Sequence, residues 1–164
     1  MDDLHPFYME DYLESNRFHA RYNLGESGNT ALTVQEILTG SLLSPEEISQ
    51  GFTRLLLRDS PNWGRDDLRD LIAHFHPGAH RENVLLTTGT SEALFLLFRY
   101  LKPKKIALPL PGFQLLYEIP QSLGAQIIPL PVLWNEKHEP YILEQEWLDI
   151  LHNEKPDCVL INNP

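Results

Sequence analysis

Residues 86–94 read LTTGTSEAL, a hydroxyl-rich turn between two apolar segments. The segment before the turn predicts the end of a strand, and the segment after it, residues 93–100, predicts a helix. The first N–H groups of a helix have no partner within the helix and carry partial positive charge. Gly89 in addition lets the backbone approach an anion closely. The turn therefore predicts a phosphate-binding site that uses Gly89, Thr90 and Ser91.

The rest of the second half of the chain alternates between short apolar segments and segments of helical length. The alternation predicts an α/β fold: a mostly parallel sheet between two layers of helices, joined by right-handed crossovers. Ligands of such folds bind at the carboxyl edge of the sheet. The turns after the first, second and last strands are expected to meet there. The predicted strands are residues 84–88, 105–109, 125–131 and 157–162.

The first half of the chain predicts helices without strands. An aromatic-rich helical stretch covers residues 7–22, and a turn-forming run covers residues 25–30. Ser44 followed by Pro45 predicts the start of a helix that runs to about Leu57. A further helix is predicted to end before residues 77–78, Pro-Gly.

Charge and composition exclude several classes of partner. The chain has 13 Lys and Arg residues against 23 Asp and Glu residues, so its net charge of −10 disfavours nucleic acid. It contains no apolar stretch long enough to span a membrane, and its acidic start is unlike a secretion signal. Cys158 is the only cysteine. These features predict a cytoplasmic protein with no membrane and no nucleic-acid partner.

The histidines do not predict a metal site. His74, His76 and His80 are close in sequence, but a Pro-Gly pair interrupts them and no carboxylate or thiol falls at ligand spacing. We expect no bound metal.

A second candidate segment follows the second predicted strand. Residues 109–117 read PLPGFQLLY, in which the prolines stiffen the turn and Phe113 emerges near the predicted phosphate site. A flat ring beside a phosphate site suggests an aromatic cofactor.

The sequence resembles the class I/II pyridoxal-phosphate-dependent aminotransferases of fold type I. Four segments occur in the family's order: residues 22–27 (YNLGES), 60–69 (SPNWGRDDLR), 88–94 (TGTSEAL) and 109–117. The last residues, Asn-Asn-Pro, resemble the opening of that family's Asn-rich loop. The resemblance covers most of this chain but under half of a typical member.

The resemblance implies pyridoxal 5′-phosphate as cofactor and assigns roles to matching positions. Gly89, Thr90 and Ser91 would hold its phosphate, and Phe113 would stack on its pyridine ring. Asn163, or its neighbour Asn162, would lie near the ring oxygen.

The resemblance also concerns the substrate and the partner subunit. Gly25 matches the position whose backbone approaches the substrate carboxylate, although an ordinary turn glycine is the alternative. Asp59 stands where many relatives place a tyrosine that reaches the phosphate from the neighbouring subunit, and an acid would repel a phosphate. The family implies a homodimer.

The chemistry of this cofactor requires a lysine that carries it as a Schiff base. No lysine of this chain lies at the predicted carboxyl edge. We therefore expect that lysine beyond Pro164, which would make this chain the N-terminal portion of a longer protein and inactive alone. Within it, residues 1–58 would form an arm and small-domain segment, and residues 59–164 the first part of the large cofactor-binding domain.

The predicted reaction of the intact protein is amino-group transfer between an amino acid and a 2-oxo acid. One alternative is elimination, replacement or cyclisation on an amino-acid side chain, because the segments are also similar to enzymes that cyclise a hydroxylated arginine in peptide-antibiotic pathways. A non-catalytic, truncated phosphate-binding or interaction module is the other alternative.

Overall fold

The computed structural model describes residues 5–26, 28 and 30–162. The chain divides into two compact units, one made of Met1–Tyr12 with Thr87–Pro164 and the other of Leu13–Leu86. The predicted division into residues 1–58 and 59–164 stays a prediction. The helices are α1 (Tyr8–Asn16), α2 (Val34–Thr39), α3 (Pro45–Thr53), α4 (Asp66–His74), α5 (Gly89–Leu101), α6 (Leu115–Ser122) and α7 (Glu144–Glu154), and the strands are β1 (Lys105–Leu110), β2 (Gln126–Pro131), β3 (Leu133–Trp134), β4 (Pro140–Tyr141) and β5 (Cys158–Val159).

The first unit is built on a parallel sheet with the strand order β2-β1-β5. Strand β1 pairs with β2 along its whole length, from Lys105 opposite Gln126 to Leu110 opposite Pro131. On its other side β1 pairs with β5. The centre of β1 is fully enclosed, since Ile106 is 0% exposed and Leu108 is 1% exposed.

Helices cover both faces of this sheet, as the alternation of strand side chains requires. On one face, Ile106 and Leu108 pack with Phe98 of α5 and with residues of α6. On the other face, Trp147 of α7 packs against the cluster of Ala107, Ile128 and Leu130, and its ring N–H donates to the Pro131 carbonyl at 2.8 Å. The predicted three-layer α/β arrangement is confirmed.

The strand predicted at residues 84–88 is wrong for the part of the chain that the structure describes. Val84 has an extended backbone, with φ −114° and ψ 124°, but no strand pairs with this segment. A backbone bond to another described segment runs from the Leu86 N–H to the Trp63 carbonyl, at 3.1 Å. An apolar run predicts extension, whereas a strand also needs a neighbouring backbone to form a ladder.

Other boundaries also differ from the predictions. The final strand is restricted to Cys158–Val159, and the α3 helix ends at Thr53 rather than near Leu57. The short helix α2 was not predicted, nor was the antiparallel ribbon of β3 and β4.

Asp157 fixes the start of β5 against the start of β1. Its Oδ2 accepts the backbone N–H groups of Lys104 and Lys105 at 2.8 and 2.9 Å, and its own N–H donates to the Lys105 carbonyl. These bonds favour the charged form, so they hold the pKa of the Asp157 carboxyl below its usual range.

In the second unit, Ser44 caps α3 as predicted. Its hydroxyl accepts the Glu47 N–H at 3.2 Å, and the Glu47 carboxylate accepts the Ser44 N–H at 2.7 Å. The pKa of Glu47 is lowered chiefly because the Ser44 backbone N–H donates to its carboxylate and so stabilises the charged form.

A buried arginine ties α4 to the segment that leads to the hydroxyl-rich turn. Arg69 is 8% exposed, and its guanidinium donates to the carbonyls of Val84 and Arg81 at 2.9 and 2.7 Å. It also pairs with Asp66 at 3.0 Å and lies over the ring of Trp63. The residues before the turn are therefore held by a side chain, although no strand in the described part of the chain pairs with them.

Gly64 makes this packing possible. It has φ +94°, and a Cβ built on it would lie 2.3 Å from Leu86 Cδ1 and 2.7 Å from Leu86 Cβ. Neither the backbone conformation nor the space accommodates a side chain.

We predict that Gly64→Ala destabilises the protein by more than about 2 kcal/mol, because it combines left-handed strain with a steric clash. Denaturant unfolding measures the effect. Gly51→Ala is the matched control, since Gly51 lies within α3 with nothing within 4 Å of the added methyl. It should be neutral or stabilise by about 0.5–1 kcal/mol. Equal stability of the two variants would contradict the role of Gly64.

Candidate functional site

The turn at residues 87–91 begins the thirteen-residue helix α5. Gly89 has φ +83°, a conformation that favours glycine, and its N–H donates to the Thr87 carbonyl at 2.9 Å. The Thr87 hydroxyl donates to the Gly89 carbonyl at 3.0 Å. These two bonds close a tight turn that leads directly into the helix.

The first turn of α5 presents polar groups to solvent. Thr90 and Ser91 are exposed, and their hydroxyls have no hydrogen-bond partner among the described residues. Their N–H groups precede the first hydrogen bond of the helix, so they also lack an intrahelical acceptor. The turn can therefore offer four donors to one anion.

Glu92 is the acid in this first turn, and its carboxylate accepts the N–H of Thr88. This bond therefore leaves the N–H groups of Thr90 and Ser91 available. Sequence reasoning did not assign this contact, although an acid three residues after Gly89 is a usual partner of the helix dipole.

The start of α5 lies at the carboxyl edge of the sheet. Residues 102–104 join α5 to β1, and the two elements pack on each other through Phe98 and Ile106, so they run in opposite directions. A helix of 13 residues and a strand of 6 residues both span about 20 Å. The amino end of α5 therefore reaches the level at which β1 ends.

Phe113 follows β1 at that same edge. It lies just before α6, is partly buried, and packs against the same core cluster as Leu94 of α5. Its ring also contacts Phe7, with ring centroids 5.5 Å apart and an angle of 71° between the planes. The structure thus brings the hydroxyl-bearing helix start and the aromatic loop to one edge of one unit.

Gly25 belongs to the second unit, whose turn it helps to form. Its N–H donates to Asn23 Oδ1 at 3.1 Å, and the Asn23 amide donates to Glu26 at 3.0 Å. A substrate carboxylate that bound this N–H would have to replace the Asn23 oxygen. A Cβ at Gly25 would make only ordinary contacts, the nearest being 3.5 Å from Leu13.

Of the two asparagines predicted to lie near the cofactor ring oxygen, the structure describes Asn162. Asn162 is exposed and lies beyond the carboxyl end of β5. Asn163, the position predicted to lie near the cofactor ring oxygen, is outside the described residues.

Lys105 and Lys155 lie at the amino edge of the sheet, and Lys137 lies in a turn. Lys105 begins β1 and pairs with Glu154 at 3.0 Å, and Lys155 ends α7 just before β5. These are the amino ends of parallel strands. Lys137 lies in the turn between β3 and β4.

The described residues form neither a metal-binding cluster nor a membrane-spanning helix. Within residues 5–26, 28 and 30–162, no group of three or more His, Cys, Asp or Glu side chains is arranged to hold a metal ion. None of the helices in that part of the chain is both long and apolar enough to cross a bilayer.

Comparison with known proteins now identifies the family. The profile of the family "Aminotransferase class I and II" matches residues 23–164. The chain belongs to this family. Membership confirms the family resemblance seen in the sequence and implies pyridoxal 5′-phosphate as the cofactor.

The chain is similar to curated enzymes that are named for different reactions. Over 129 residues the chain is 32% identical to the capreomycidine synthase of Streptomyces vinaceus, a match that covers 76% of this chain and 32% of that protein. Over 111 residues it is 34% identical to human tyrosine aminotransferase, covering 64% of this chain and 24% of the relative. The chain thus spans about a third or less of the length of these relatives.

A solved structure shares the fold. The crystal structure of a PLP-dependent aminotransferase from Streptococcus suis 89-1591 superposes with a TM-score of 0.75 at 22% identity. The match covers 93% of this chain and 40% of that one. The fold is that of part of a type I pyridoxal-phosphate enzyme.

The chain has groups that fit the phosphate and the pyridine ring of this cofactor. The donors of Thr90 and Ser91, at the positive end of α5, suit a phosphate dianion, and Phe113 is an aromatic surface at the same edge. The Glu92 carboxylate accepts the Thr88 N–H, so it does not occupy the donors of Thr90 and Ser91. The residues present therefore fit the phosphate and the ring.

We predict that replacing both Thr90 and Ser91 with alanine raises the Kd of the complete protein for pyridoxal phosphate about tenfold or more, because charge-assisted hydrogen bonds are lost. Titration of the cofactor-free protein, followed by absorbance, measures this.

Ser122→Ala is the control for the double variant. Ser122 ends α6 and its hydroxyl donates to the Ile119 carbonyl, so its loss should leave the Kd unchanged. The same Kd in the double variant and in the wild type would show that the phosphate is bound elsewhere.

Proposed function

We propose that the complete protein containing this chain transfers an amino group between an amino acid and a 2-oxo acid. The observation that carries the proposal is the convergence, at one sheet edge of a class I/II aminotransferase fold, of the donor-rich start of α5 and the ring of Phe113. The similarity to tyrosine aminotransferase supports this reaction.

When bound, pyridoxal phosphate supplies an electron-withdrawing ring that stabilises negative charge on the substrate's α-carbon. The task of this chain is to hold that ring in place. The N–H groups and hydroxyls of Thr90 and Ser91 would bind the phosphate dianion, and the dipole of α5 would add to this binding. Gly89 would keep the turn tight enough for the backbone to approach the anion.

Phe113 would limit the movement of the heterocycle and exclude water from one of its faces. Asn162 or Asn163 would approach the ring oxygen, and Gly25 would approach the substrate carboxylate after releasing the Asn23 oxygen. These roles rest on the matching of positions within the family and on the edge geometry of α5 and β1.

We further propose that the protein works as a homodimer in the cytoplasm, as its sequence and family suggest. Asp59 would leave the phosphate without the tyrosine that many relatives supply from the neighbouring subunit. Light scattering tests the dimer, and cell fractionation tests the compartment.

The second candidate function is cyclisation, or elimination, on an amino-acid side chain. The match to capreomycidine synthase favours it, since that match covers 76% of this chain. Both reactions would use the same phosphate and ring contacts, so the products rather than these residues distinguish them.

The test supplies the complete protein with pyridoxal phosphate, a panel of amino acids and 2-oxoglutarate. Aminotransfer predicts a new 2-oxo acid and glutamate in equal amounts, measured by mass spectrometry. A cyclised amino acid, or a 2-oxo acid with free ammonia, formed without glutamate would instead support the second function. A protein that binds no cofactor would contradict both and leave the non-catalytic module.

A further inference from the structure

The N-terminal arm, defined as residues 5–7, contacts the Phe113 region at three successive residues. His5 Nδ1 lies 3.0 Å from Glu118 Oε2, and the Pro6 carbonyl accepts a hydrogen bond from Gln114 Nε2 at 2.9 Å. The ring of Phe7 meets the ring of Phe113 at 5.5 Å and 71°. All of these residues belong to one compact unit.

The groups that receive the arm are fixed parts of the unit. Gln114 is 8% exposed, and the side chain of Glu118 is 12% exposed. The Gln114 amide donates to a backbone carbonyl 108 residues away in the chain. Since a buried side-chain donor needs a partner, the arm completes the polar surroundings of Gln114.

The contact also restricts the rotamers that the Phe113 side chain can adopt. Phe113 stands between a loop and the first turn of α6 and is only partly covered by the core. A ring in such a position can change rotamer unless another side chain restricts it. The nearly perpendicular ring of Phe7 is an energetically favoured partner for this purpose.

We propose that Phe7 is a positioning residue that sets the orientation of Phe113 against the cofactor ring, with the Gln114 and Glu118 contacts holding the arm in place. The inference rests on the proposed function, because it takes Phe113 to be the surface on which the pyridine ring lies. It adds the N-terminal arm to the cofactor site.

The test compares Phe7→Ala, Phe7→Leu and Phe7→Tyr in the complete protein. Leucine keeps apolar bulk without a ring, whereas tyrosine keeps the ring. Tyr8→Ala is the matched control, since Tyr8 is the next aromatic residue and is 64% exposed. The readouts are the Kd for pyridoxal phosphate and the circular dichroism of the bound cofactor's absorption band at saturation. Hydrogen exchange of residues 112–116 in the cofactor-free protein checks the arm contact separately.

We expect Phe7→Ala and Phe7→Leu to raise the Kd about two- to tenfold, the range of one aromatic pair, and to change the dichroism of the band. Phe7→Tyr should restore both, and Tyr8→Ala should alter neither. Residues 112–116 should exchange faster in the alanine and leucine variants. Gln114→Met, which releases the arm without removing a ring, should change the dichroism in the same direction.

Two results would overturn the inference while leaving the proposed function intact. One is a wild-type Kd and dichroism in Phe7→Ala and Phe7→Leu. The other is tighter cofactor binding in these variants, which would mean that the arm obstructs the site. A wild-type protein that gives no cofactor band would instead overturn the proposed function and the inference together.

Discussion

The burial of both faces of strand β1 is the constraint on which the first unit depends. Ile106 and Leu108 face one helical layer, and Ala107 faces the other, so neither side of the strand can be left to water. A covering helix joined to β1 by residues 102–104 must run back along the strand. This requirement brings the start of α5 to the carboxyl edge of the sheet, where the loop that carries Phe113 follows β1.

The two edges of the sheet in this unit carry different polar contacts. Lys105, Glu154 and Asp157 pair with one another's side chains or backbone where β1 and β5 begin. At the opposite edge, the start of α5 exposes hydroxyls and N–H donors, together with the Glu92 carboxylate that accepts the Thr88 N–H. The amino edge therefore fixes strand register, whereas the carboxyl edge keeps donors available to a ligand. The arm contacts of Gln114 and Phe113 belong to this second edge.

Sequence reasoning predicted the features that apolar spacing and capping residues determine. The three parallel strands, the covering helices and the Ser44 cap are confirmed, and the sequence alone predicts a site at Gly89, Thr90, Ser91 and Phe113. It could not predict that no strand among the described residues pairs with residues 84–88, because strand pairing is decided by distant backbone. The Arg69 contacts were missed because their acceptors are carbonyls, which leave no side-chain signal. The arm contacts join residues more than a hundred positions apart, and no local pattern reports them.

We propose that this edge of the sheet holds pyridoxal phosphate, with its phosphate on α5 and its ring on Phe113. A crystal structure of the complete protein with the cofactor bound tests it most directly. We expect phosphate oxygens about 2.7–3.2 Å from the donors of Thr90 and Ser91, with the pyridine ring parallel to that of Phe113. A phosphate bound away from the first turn of α5, or a Phe113 ring without contact to the cofactor, would contradict it.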